Sequence, residues 1–180
     1  MKKILLRTLL LLSAAVLCLS AVSCQNKVDV PDGMQLCSED HLEYYFFVPT
    51  NWVDNTVSGS TSAYLTKEGK HVVSVLVTSY VPGEALDIAG YWDICEEEYK
   101  KVFENYTLLS PIDGTKTTVS NLNATEFVYT ADLAGVSYKY NQTVFVKSER
   151  FYTITYTATP ETYDTYLSDL AAMKANFTFR

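Results

Sequence analysis

Histidine and glycine are both scarce. There are two histidines, His41 and His71, on separate segments, and seven glycines in 180 residues. None of the glycines are grouped into the loop that cradles a phosphate. The chain has no Gly-x-Ser-x-Gly elbow, no Ser-x-x-Lys motif and no His-Glu-x-x-His helix, so the familiar hydrolase and zinc signatures are missing. Cys-x-x-Cys spacing is missing too, and neither His41 nor His71 matches a ligand motif, so no metal or cofactor is expected. Paired carboxylates remain available for glycosidase chemistry, but a single small domain offers no evident cleft for them. The expectation is a protein that is not an enzyme.

Positive charge is short as well. Fourteen Lys and Arg face twenty-one Asp and Glu, and three of the basic residues (Lys2, Lys3, Arg7) lie in the first seven positions. Without residues 1–23 the formal charge becomes −10. Phosphate backbones repel such a surface, which removes nucleic acid as a partner. No apolar run reaches the roughly 20 residues that a membrane-spanning helix needs. The longest, Leu9 to Leu19, follows the basic start and precedes small residues, which is the layout of a secretory signal.

Ala21-Val22-Ser23-Cys24 then resembles the lipobox of bacterial lipoproteins, with Ala21 where leucine is usual. Residues 1–23 are therefore expected to be a lipoprotein signal peptide and Cys24 the lipid-anchored N-terminus. The alternative is ordinary cleavage near Ser23 that leaves Cys24 as a thiol. Residues 24–33 are polar and broken by Pro31 and Gly33, which suits a tether, and residues 34–180 have the length of a single domain. Cys37 and Cys95 remain. In an exported chain they are able to form a disulfide, yet Cys95 falls on the apolar face of a helix, which favours two packed thiols.

Strands are expected at Tyr44 to Val48, Ser62 to Thr66 and His71 to Tyr80, the last two joined through Lys67-Glu68-Gly69-Lys70. In the third, Val73, Val75 and Val77 share one side, and Val72, Leu76 and Tyr80 the other, so both sides should be covered. A helix is expected from about Leu86 to Asn105, where Trp92, Cys95, Tyr99 and Val102 recur at helical spacing that Tyr106 continues. Glu96, Glu97 and Glu98 sit largely off that face and read as solvated surface.

Five more strands follow, at about Thr107 to Ser110, Thr115 to Val119, Thr125 to Asp132, Val136 to Lys147 and Arg150 to Thr159. The last three should form an antiparallel meander. Thr159-Pro160-Glu161 opens a final helix whose stripe is Tyr163, Tyr166, Leu167, Leu170 and Met173, and Phe177-Thr178-Phe179 closes the chain as an extended tail. Strands and helices are segregated, so the class is α+β.

Phe47-Val48-Pro49-Thr50-Asn51-Trp52 resembles the Phe-x-Pro-x-x-Trp start of PsbP-like domains. The mid-chain helix, the strand around Ala124 to Thr130, the strand pair Tyr138 to Lys147 and Phe151 to Ala158, and the last helix continue the likeness. The resemblance implies an antiparallel β-sheet sandwiched between helices. It also implies an accessory or binding role, as in the photosystem II extrinsic protein and a Ran-binding nuclear-import protein of the same fold. Photosystem members bind calcium or manganese, but no residue here matches such a ligand set, and fold alone does not carry function.

The expectation is thus a membrane-anchored extracytoplasmic lipoprotein in the cell envelope that acts as a non-catalytic binding module for an envelope protein. A carrier of a small apolar ligand or lipid between sheet and helix is the alternative. Tyrosine is abundant, at fourteen residues, and serves both for packing and for recognition. Tyr138, Tyr140 and Tyr156 are the candidate binding surface.

Overall fold

In the computed structural model, residues 28–57 and 59–180 are described. The predicted signal peptide and Cys24 lie outside them. The sheet is built by hairpins. β5 (Thr61–Lys67) pairs with β6 (Lys70–Tyr80), and β9 (Leu122–Leu133), β10 (Val136–Lys147) and β11 (Arg150–Ala158) form the expected meander. Each two-residue turn has both central residues at positive φ, as in Glu68-Gly69 and Ala134-Gly135, the geometry whose twist matches antiparallel strands.

β6 pairs with β11, so the order across the sheet is β4 (Val53–Asp54), β5, β6, β11, β10, β9, β7 (Glu104–Leu108). β8 (Thr115–Val119) shares the outer edge of β9 with β7. Two small ribbons flank this sheet: β1 (Met34–Leu36) on β3 (Phe47–Pro49), and β2 (Tyr44–Tyr45) on β12 (Thr178–Phe179). The extended tail expected at the C-terminus is therefore paired. On the domain side of the expected tether, the carbonyls of Pro31 and Gly33 accept from Met34 and Thr50 N–H, each at 3.0 Å, which binds that end of the segment to the domain.

Alternation along the strands gives the sheet two dissimilar faces. On the first, Val73, Val75, Val77, Phe145, Ile154 and Tyr156 form one core with Phe46 and Val48. The C-terminal helices join it through Tyr163 of α2 (Pro160–Tyr163) and through Leu170 and Met173 of α3 (Leu167–Ala175). A one-turn 3₁₀ segment, Asp164–Tyr166, links the two helices. On the second face, Phe127, Tyr129, Tyr140, Val144 and Phe151 pack with Trp92 of α1 (Ile88–Val102).

The structure corrects two details of the expected pattern. The β5–β6 register shifts at Leu65/Thr66, and Val72 packs with the same core as Val73 rather than opposite it. A bulge adds one residue and re-aims its neighbours, so His71 turns over and stacks on Tyr64 with ring centroids 4.0 Å apart. Helix α1 also ends earlier than its periodicity suggested. Phe103 is extended (φ −96°, ψ 142°) and β7 begins at Glu104 to pair with Asp132. Sheet pairing outweighs three more helical residues, so Tyr106 lies on a strand and Val102 is 68% exposed.

Gly114, before β8, is at φ +65°. A Cβ there would lie 2.8 Å from both the Glu126 carbonyl oxygen and Phe127 Cε1. Left-handed strain costs roughly 1–2 kcal/mol for an L-residue, and crowding a packed site costs a similar amount. Gly114→Ala is therefore expected to lower stability by about 2–4 kcal/mol. Equilibrium urea unfolding reads the effect, and an unchanged midpoint would contradict this account of the turn.

Candidate functional site

Helix α1 is fixed at its start by Asp87, whose carboxylate accepts from Gly90 N–H at 2.8 Å, the usual satisfaction of an orphan helix donor. Trp92 lies flat on Phe127, at 3.8 Å and 2° between rings. That contact seats the helix over β9 and β10. β6 is left open on this side: Leu76 is 38% exposed and Tyr80 54%. The expected cover on both sides of β6 is thus present only over Val73, Val75 and Val77, because a single helix is too narrow to roof the whole second face.

The uncovered strip beside α1 is a solvent-open groove of about 550 Å³. Tyr91, Tyr99 and Phe103 of the α1 segment form its wall together with Tyr138 and Tyr140 of β10, Tyr140 lying 5.7 Å from Phe103; Ser74, Thr155 and Thr157 form its floor. The Tyr rings are held in a stack. Tyr129 and Tyr140 are 4.7 Å apart at 11°, and Tyr99 lies 5.5 Å from Tyr129. Two of the polar tips are paired through Gln142: its Nε2 donates to Tyr99 Oη at 2.9 Å and Tyr129 O–H donates to its Oε1 at 3.4 Å. The groove therefore presents rigid aromatic rings whose shape is set by buried hydrogen bonds.

Burial pushes the Tyr91 hydroxyl up to about 12, and it raises Tyr99 and Tyr129 as well. These groups are neutral at physiological pH and act as hydrogen-bonding tips, not as bases. Raised folded values mean that the stability the tyrosines contribute is intact below about pH 10, their unfolded value, and is lost as pH climbs through the folded values. The urea midpoint should be flat up to about pH 9 as far as tyrosine is concerned, and fall steeply above about pH 10, with the buried tyrosines ionising as the fold is lost. Ionisation of the buried Tyr99 and Tyr129, read from their own ring signals by NMR, in a chain that keeps its native circular dichroism would contradict this.

Of the three tyrosines chosen from the sequence, two meet in the groove. Tyr138 and Tyr140 have ring centroids 6.3 Å apart; Tyr138 is half-buried and Tyr140 is 6% exposed. Tyr156 is on the opposite face, 0% exposed, with its hydroxyl donating to the Tyr163 carbonyl at 2.7 Å. It is a core residue, which takes Tyr156 out of the expected surface, and Tyr140 is itself buried. The neighbours of Tyr156 in the alternation, Ile154 and Ala158, already pointed that way.

Cys37 and Cys95 are both free thiols. Cys37 belongs to the first-face core, while Cys95 is on α1 over the second, beside an adjoining cleft of about 340 Å³ with Tyr80 and Ile94. The sheet between them keeps them from bridging. Burial pushes the Cys37 thiol up to about 12 and raises Cys95 as well, which suppresses the thiolate a nucleophile needs. His41 lies beside Glu39 at 3.6 Å, and His71 sits at the end of the groove. The two histidines are not brought together, and no group of three His, Cys, Asp or Glu side chains converges among the described residues.

Glu96 departs from its sequence reading. It accepts from Tyr106 O–H at 3.1 Å and pairs with Lys100 at 2.9 Å, so it braces α1 against β7. No helix among the described residues is long and apolar enough to cross a membrane.

An antiparallel sheet with a helix on its second face and a C-terminal helical segment in its first-face core is α+β. No family model matches the sequence, and no curated protein does either. Solved structures do. Pseudomonas aeruginosa PA94 matches with a TM-score of 0.59 at 14% identity, over 82% of this chain and 97% of its own. Cyanobacterial PsbP (CyanoP) from Synechocystis gives 0.57 at 13%, over 89% and 99%. The Saccharomyces cerevisiae Ran-binding protein Mog1p gives 0.51 at 9%, over 79% and 84%. At these identities the likeness is one of fold, and the fold is PsbP-like.

Proposed function

We propose that this chain is a lipid-anchored extracytoplasmic accessory module in the cell envelope. It is built as a sheet between helical layers, and its half-open second face binds an envelope protein. The observation that carries the reading is the groove beside α1. A rigid aromatic wall with an apolar rim of Leu76, Tyr80, Ile94 and Leu133 has the composition of a recognition surface.

The lipobox-like Ala21-Val22-Ser23-Cys24 supports the anchor, and the acidic charge supports a soluble face. A protein of the same fold is named for binding Ran, which is an analogy for protein recognition and nothing finer. A non-catalytic role fits side chains that are neutral or already paired around the groove. Carriage of an apolar ligand between sheet and helix has less support, because Trp92 stacked on Phe127 fills that interface.

Crosslinking in the native cell, followed by purification and mass spectrometry, tests the reading against Cys24→Ser and Leu76→Lys. Leu76 is exposed enough for the change to be tolerated in the fold. A partner captured by the wild type and lost in both variants is the expected result. Capture that is indifferent to Leu76 would remove the groove from the function. Turnover of a hydrolase substrate, abolished by one point mutation, would overturn the non-catalytic role.

A further inference from the structure

Helices packed side by side stand about 8–10 Å apart, which is two strand spacings of a sheet. β11, β6 and β5 lie next to one another in that order beyond the strands that α1 covers, so they span about 10 Å, the diameter of one helix with its side chains. The side chains around Leu76 on this strip, Ser74, Thr155 and Thr157, are short enough for a helix to sit close. The adjoining flank of α1 is unpacked too. Ile94, Glu98 and Val102 stand four residues apart, the spacing of a ridge that packs into a neighbouring helix, yet Ile94 is 50% and Val102 68% exposed.

The floor selects against an extended segment. β6 is bonded to β5 and β11 over Val73–Val77, and β11 is bonded to β6 and β10 over its whole length, so neither has backbone groups free for a further strand. A chain lying extended on this face would leave its own N–H and C=O groups without backbone partners, whereas a helix satisfies them internally. Charge selects the chemistry of that helix. Glu84 and Glu149 line a cleft at the start of α1, and Glu84 and Glu98 line the one that continues it into the groove. No Lys or Arg lines these clefts or the groove among the described residues, although Lys101 pairs with Glu98 at 2.7 Å on the exposed surface. A second copy of this chain does not suit the site: its α1 would bring Asp93, Glu97 and Glu98 against these acids, and its C-terminal helices are committed to the first-face core.

We propose that the groove takes a basic amphipathic α-helix of the partner, laid beside α1 as the second helix of the layer. Its apolar stripe meets Leu76 and Ile94, and Lys or Arg on its flanks meets Glu84, Glu98 and Glu149, the charge complementarity that steers and registers a docked segment. This rests on the groove being the binding surface, so the test separates the two.

The full-length chain, in its native cell, carries a photocrosslinking residue in place of Leu76, Thr78 or Ile94, and the captured partner residues are mapped by mass spectrometry. Capture at partner positions that recur in steps of three and four, in a segment bearing Lys or Arg between them, is expected. Glu84→Lys combined with Glu98→Lys, shown by circular dichroism to keep its fold, should reduce the Ile94 crosslink several-fold. Captured residues at alternate positions, or in a segment without Lys or Arg, overturn the helix while leaving the groove as the binding surface, and so does a yield that the double charge reversal leaves unchanged. No capture from any of the three positions overturns the groove and the helix together.

Discussion

Trp92→Ala is expected to lower the unfolding free energy by about 3–5 kcal/mol, the range for truncating a buried aromatic. Trp92 is 1% exposed and is the one fully buried residue of α1. Its ring lies parallel to Phe127 and also meets Tyr99 and Tyr129 at about 6 Å. Deleting it leaves a hole under the helix and removes the main contact that holds α1 on the sheet, so the groove wall of Tyr91, Tyr99 and Phe103 loosens with it. For a domain stable by about 5–15 kcal/mol, this is a large share of the total.

Trp92→Phe separates volume from polarity. The indole N–H has no acceptor among the described residues, so losing it removes an unsatisfied donor, and the smaller ring is expected to cost no more than about 1–2 kcal/mol. Urea unfolding followed by Trp52 fluorescence measures both variants. A loss under about 1 kcal/mol for Trp92→Ala would show that α1 is held by other contacts.

The strands were the most legible part of the chain because their alternation is strict. Val136 to Lys147 appears with the bounds its pattern gave, and the two sides of β11 separate as Tyr152, Ile154, Tyr156 and Ala158 against Phe151, Thr153, Thr155 and Thr157. The bulge beside Val72 was illegible, since an extra residue in a run of valines leaves every composition cue unchanged. The end of α1 was misplaced for a related reason: Tyr106 keeps the helical spacing, but a non-local strand pair decides its fate.

The groove was half legible. Tyr138 and Tyr140 stood out as tyrosines, while Leu76, Tyr91 and Phe103 matter only because of where α1 lands across the sheet, which local periodicity does not encode. One usable signal was present. Ser74, Thr78, Thr155 and Thr157 alternate with the core residues of β6 and β11, and hydroxyl-bearing positions on an inner strand mark a face that no helix roofs.

Lys174→Met is expected to lower stability by about 3 kcal/mol, the lower end of the cost of breaking a buried ion pair from one side. Lys174 on α3 reaches Glu126 on β9 across the first face, and their side chains are 15% and 20% exposed. Asn141 Nδ2 donates to the other Glu126 oxygen at 3.2 Å, and Thr143 O–H donates to Asn141 Oδ1 at 3.2 Å. Methionine keeps the volume but leaves the carboxylate with one neutral donor in a site largely closed to water. The loss measures that stranded charge and not the worth of the pair.

Glu126→Gln combined with Lys174→Met should therefore recover most of the stability, a coupling of about 2 kcal/mol in a double-mutant cycle. Additive losses would show that Lys174 acts by packing alone. The site of the damage is informative too. α3 runs directly into Phe177, whose ring packs with those of Tyr44, Phe46 and Phe145, and then into β12. Hydrogen exchange in Lys174→Met should accelerate first along α3 and the β2–β12 ribbon, while β9, β10 and β11 stay protected.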